Sequence, residues 1–117
     1  MDIRKWSVYL ADLNPRFGTE PGKMRPVVVV QTDLLNGHHP STIICPLTTR
    51  IHPQSNILRV HLQREEAGLA EKSDIMVDQL RAIDNRRLVQ GPMARLSNAL
   101  MTKVAEAVGE ILDLTED

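Results

Sequence analysis

One arginine in this sequence stands where it has to meet an anion. Gly18-Thr19-Glu20-Pro21-Gly22-Lys23-Met24-Arg25-Pro26 leads straight into Val27-Val28-Val29-Val30, so a glycine-punctuated loop delivers Arg25 to the mouth of an apolar strand. Its guanidinium is permanently charged and forked to match phosphate or carboxylate. Pro26 fixes its own φ and biases Arg25 toward an extended backbone, so the side chain is aimed. Either it is paired within the chain, with Glu20 the nearest partner, or it is open to a bound anion. Three further polar positions, Thr48, Asp78 and Gln79, also fall where strands meet loops. Alone, Thr48-Thr49-Arg50 reads as a β-branched strand end and Asp78-Gln79 as a polar strand face. On a curled sheet all four residues can share one rim, which is where small barrels bind ligands.

Other chemistries find no support in the residue pattern. His38 and His39 are adjacent on a loop, His52 and His61 are isolated, and no Cys/His or carboxylate set completes a metal site. The one cysteine, Cys45, lies in an apolar run and reads as a small core residue. Neither a Ser/His/Asp arrangement nor a phosphate-binding or dinucleotide glycine motif is present. No metal and no cofactor are expected. With 117 residues the chain is read as one domain, 1–117, and the lone cysteine suits a reducing cytoplasm. No apolar run reaches membrane-spanning length. The net charge of −1 conceals an asymmetry: residues 1–64 carry eight Lys/Arg against four Asp/Glu, residues 65–117 six against eleven. The first half is the one suited to a polyanion.

The elements that must position these residues are short strands followed by one helix. Strands are predicted at Ser7–Leu13, Val27–Gln31, Thr42–Thr48, Ile57–Leu62, Asp74–Arg81 and Arg87–Gln90, with Pro46 marking an edge or bulge. Leu96, Leu100, Val104, Val108 and Ile111 then recur at helical spacing, with Ser97 as N-cap and Leu96 stapled to Met101. Gln63–Gly68 reads as a helical turn closed by glycine. The whole is mainly β with a C-terminal α-helix, a small strongly curved barrel.

In order along the chain, Val8-Tyr9-Leu10-Ala11-Asp12-Leu13-Asn14-Pro15, Gly18-Thr19-Glu20, Arg25-Pro26-Val27-Val28-Val29, Thr48-Thr49 and Asp78-Gln79-Leu80-Arg81-Ala82-Ile83-Asp84 resemble the MazF/PemK family of toxin endoribonucleases. The likeness runs from Trp6 to the terminal helix. It implies an SH3-like barrel, a homodimer, metal-independent cleavage of single-stranded RNA at a short sequence, and a cognate MazE-like antitoxin. The antitoxin's flexible tail would block the RNA groove. DNA would be met only indirectly, through the antitoxin complex, and membranes not at all.

The resemblance also implies roles. Arg25 matches the family's residue at the scissile phosphate, and Thr48 its catalytic threonine. Glu20 and Gln79 would orient loop and substrate, with Asn36, Thr49 and Arg50 lining the site beside Pro26. Phe17 is the one aromatic placed to stack on a base. One branch of the family uses a histidine in the glycine loop with an arginine and an aspartate on a later strand; those positions here are Thr19, Met76 and Asp78, so only the aspartate remains. Arginine is a poor general base, which leaves Asp78 or Glu20 to accept the proton. Two rival readings are a non-catalytic RNA-binding barrel and a CcdB-like gyrase poison. The acidic end Leu112–Asp117 and the role-less Arg25 and Thr48 count against the second.

Overall fold

A computed structural model describes residues 1–114; the acidic end at 115–117, invoked against a gyrase poison, lies outside the described residues. Seven strands form one curled antiparallel sheet: β1 (Ser7–Asp12), β2 (Met24–Val29), β3 (Ser41–Thr48), β4 (Arg59–Leu62), β5 (Ser73–Met76), β6 (Arg81–Asp84) and β7 (Leu88–Arg95). Their order is β4-β5-β3-β2-β1-β7, with β6 also paired to β3. The 3-10 turn Glu66–Gly68 packs on β7 near the two edge strands, with Gly68 close against Ala94. The helix α1 (Asn98–Ile111) closes the chain, and Ser97 accepts a hydrogen bond from the Leu100 amide at its start as the sequence predicts.

β2 is central and buried on both faces, which is why its valines form a run instead of alternating. Val28 joins Val8, Leu47, Ile75 and the helix residues Leu100 and Val104 in one core cluster. Val27 and Val29 join Tyr9, Ala11, Leu13, Ile44 and Ile83 in another, on the opposite side of the sheet. Arg25 therefore emerges from a central strand that is paired to a neighbour on each side.

Three details depart from the sequence expectation. Pro46 sits on a central strand: β3 pairs β6 from Ser41 to Ile44 and β5 at Leu47 and Thr48. Pro46 falls in the gap between these two partners, where its missing N–H costs nothing on that side. The single strand expected over Asp74–Arg81 is two, β5 and β6, broken by a 3-10 turn at Val77–Gln79. Val77 is fully buried in the cluster beneath α1, and the turn packs against that helix. The last strand runs to Arg95 instead of stopping at Gln90.

Candidate functional site

The loop between β1 and β2 folds back so that Gly22 presents its carbonyl to Arg25. Arg25 Nε donates to Gly22 O at 2.8 Å and Nη1 to Leu47 O at 3.1 Å. Both acceptors are neutral backbone atoms. Burial, aided by the nearby charge of Arg16, lowers the Arg25 pKa from its ordinary value. These are the features of a cation fixed in direction but lacking its anion. Glu20 is paired elsewhere: its Oε2 lies 3.2 Å from Arg81 Nη1, a charge contact that misses hydrogen-bond alignment.

Thr48, half-buried at the end of β3, shares the groove with Arg25. Its Oγ1 accepts from the Arg50 amide at 3.1 Å, so the hydroxyl proton is free to be donated into the groove. The groove has two lobes that meet at Lys23, Arg25, Thr48 and Thr49. The larger, about 670 Å³, carries Arg16, Lys23, Arg25, Arg50 and Arg59 against the carboxylate of Glu20. The smaller, about 290 Å³, is lined by Met24, Pro26, Leu47 and Leu69, with Glu71 at its side. A phosphate chain fits the first; the second offers an apolar surface to a base.

Of the residues singled out in the sequence, Arg25, Thr48, Glu20, Pro26, Thr49 and Arg50 are brought together here. Phe17 is largely exposed beside the groove, on the same loop as Glu20. Asn36 is not in the groove. It is buried beyond the opposite end of β2 and β3, where it bonds Gln31 and Asp33 and holds the turn that follows β2. Gln79 is half-buried and Asp78 exposed on the 3-10 turn, and neither lines the groove. The break in the expected strand is the cause, since it carries both away from the line of β5. Asp78 instead lies close enough to Cys45 to help burial push that thiol up to about 12. Sequence reasoning passed over Asp74, Arg59 and His52, which together form the wall behind Thr48. Among the described residues no cluster of metal-ligating side chains occurs, and no helix is long and apolar enough to cross a membrane.

A small curled barrel with one flanking helix and a cationic groove at a strand mouth defines the class. The model of the PemK-like, MazF-like toxin of type II toxin–antitoxin systems matches residues 4–112, and the chain belongs to that family. It is 34% identical over 108 residues to Endoribonuclease EndoA of Bacillus subtilis, covering 92% of each. Its fold is that of MazF from Deinococcus radiodurans, with a TM-score of 0.82 at 21% identity over 97% of this chain and 98% of that one. An endoribonuclease solved with its cognate antitoxin from a mycobacterial species gives 0.76 at 18% identity, over 97% of both.

Proposed function

We propose that this chain, acting as one domain in the cytoplasm, is a toxin endoribonuclease that cuts single-stranded RNA through the RNA's own 2′-hydroxyl. The observation that carries this is Arg25: a guanidinium fixed by two backbone carbonyls, without a carboxylate partner among the described residues, at the meeting point of a cationic and a partly apolar lobe. Membership of the toxin family and the 34% identity to EndoA support it.

In this reading the 2′-oxygen attacks the adjacent phosphorus while the bond from phosphorus to the 5′-oxygen breaks. The products are a 2′,3′-cyclic phosphate and a 5′-hydroxyl. Arg25 grips the non-bridging oxygens as charge builds on them, and its bonds tighten most in the transition state. Thr48 donates a hydrogen bond from its hydroxyl to the same phosphate, and the departing 5′-oxygen takes its proton from solvent. Glu20 takes the 2′-hydroxyl proton, supported by its position on the groove wall; Asp78, the other carboxylate considered, is exposed on its turn. Phe17 and the apolar lobe stack or shelter bases. The fold relatives solved with an antitoxin support a MazE-like partner whose acidic tail lies in the same groove. A homodimer would cover apolar side chains exposed near the β4 edge, such as Ile57 and Leu58.

The test is purified protein against a long single-stranded RNA in excess EDTA, beside Arg25→Ala and an all-deoxy control. Cleavage by wild type alone, leaving 5′-hydroxyl ends and sparing the deoxy strand, is expected. No cleavage, or equal cleavage by Arg25→Ala, would leave a non-catalytic RNA-binding barrel as the better reading.

A further inference from the structure

We infer that Asp74 is a positioning residue for the reaction, acting through the backbone of Arg50–His52 on the hydroxyl of Thr48. This rests on the endoribonuclease reading and deepens it. The register of the sheet sets Thr48 directly opposite Asp74, and Asp74 directly opposite His61. The three side chains thus form one row across β3, β5 and β4, on a common face. Asp74 is completely buried. A buried carboxylate is retained without loss only when its oxygens are satisfied, and here each is. Oδ2 accepts from the His52 amide at 2.8 Å and from Arg59 Nη1 at 3.1 Å, and Oδ1 lies 2.7 Å from His61 Nδ1.

The consequence falls on the segment just after Thr48. Arg59, held by Asp74, also donates from Nη1 to the Arg50 carbonyl at 3.2 Å. Asp74 itself holds the next amide but one, that of His52. Arg50 is therefore gripped at its carbonyl, and its own amide points at Thr48 Oγ1. A lone pair of the Thr48 hydroxyl is occupied by that amide, so its proton has to be donated elsewhere, on the groove side. Arg59 is itself only slightly exposed and its charge is matched by Asp74. It serves as a strut between carboxylate and loop more than as a ligand for RNA. His61 completes the row: with Nδ1 on Asp74 its Nε2 is buried without a partner among the described residues, so its contribution is to the carboxylate.

The experiment measures cleavage of the RNA that the wild type cuts, for Asp74→Asn, Thr48→Ala and the double variant, under steady-state conditions with RNA in excess. Asp74→Asn is expected to lower kcat by about 30-fold and to change KM by less than about threefold, the pattern of a misplaced catalytic group. In the Thr48→Ala background the same change is expected to cost less than about threefold, because the two act as a unit. Equal losses in both backgrounds, or a loss confined to KM, would overturn the inference. If Thr48→Ala leaves no cleavage to follow, the division between kcat and KM in Asp74→Asn decides. Should Asp74→Asn not fold, Arg59→Met, which has no donor for either Asp74 or the Arg50 carbonyl, carries the same cycle. A wild type that cuts no RNA would overturn the endoribonuclease reading itself; cutting with an additive cycle overturns the role of Asp74 alone.

Discussion

Arg25 illustrates how a single side chain acquires a task from what it lacks. The two carbonyls that hold it fix its direction without neutralising it, so the incoming phosphate supplies the missing charge. Replacing it by lysine keeps the charge but loses the fork, since an ammonium cannot bond two oxygens in one plane. Arg25→Ala is expected to cost about 10²–10³ in kcat, and Arg25→Lys to recover no more than part of it, as read by initial rates of RNA cleavage. Cys45 shows the opposite case, a reactive group silenced by its surroundings. Burial first, and Asp78 second, push its thiol up to about 12, while an unfolded chain would lose that proton near about 8.5. Above that pH the unfolded state binds fewer protons than the native one, so stability falls as pH rises from about 8.5 toward 12. The thiol is expected to react with a disulfide reagent at pH 8 only at the rate of unfolding. The slope between about pH 8.5 and 10 in a urea-unfolding series should be reduced in Cys45→Ala, below the range in which Tyr9, also raised by burial, adds its own loss.

At the scale of elements, what could be read from the sequence is what local chemistry decides. The helix announces itself by its 3.6-residue stripe and by Ser97, and the central strand by its unbroken valines. The break at Val77–Gln79 does not: no glycine or proline marks it, and Val77 turns inward because α1 offers it a buried place. That is a tertiary cause, and it displaced Asp78 and Gln79 from the expected rim. The family resemblance implies a groove position for Asn36, whereas its amide secures the turn after β2. Asp74 is the converse. An aspartate inside an apolar strand, and the alternation of Arg59 and His61 on the next, were visible, yet only the register makes them a cluster. The loop before β2 carries its own test. A Cβ on Gly22 would lie 2.7 Å from the Arg16 Cβ, whereas one on Gly18 would meet nothing within 4 Å. Gly22→Ala must shift the loop and with it the carbonyl that holds Arg25 Nε. A fall of about tenfold in kcat is expected. Gly18, at φ +58, pays only the backbone strain of about 1 kcal/mol for a side chain there. Comparing kcat and Tm of the two variants separates a displaced arginine from a merely strained loop.

The whole molecule presents a near-neutral chain with its charges sorted in space. The acidic half of the sequence supplies the helix and the later strands, while the groove draws its cations from the first half: Arg16, Lys23, Arg25 and Arg50. Arg59 is left out of this reckoning because Asp74 already matches it. A single-stranded polyanion that engages about four phosphates releases the counterions condensed on them. The logarithm of its binding constant should then fall with the logarithm of salt at a slope of about −3, at roughly −0.7 per phosphate for a single strand. Removing one groove cation, as in Arg50→Ala, is expected to reduce the slope by about 0.7 and to weaken binding alike for all sequences. Arg86→Ala, whose charge is exposed and engaged with Asp84, should leave it unchanged. Fluorescence anisotropy of a labelled all-deoxy strand, which lacks the 2′-hydroxyl and so resists the proposed cleavage, gives these slopes directly. An acidic peptide that competes for the same cations should displace the strand with a matching salt dependence. A slope near zero, or one that responds equally to Arg50 and Arg86, would mean that the polyanion binds on another face of the barrel.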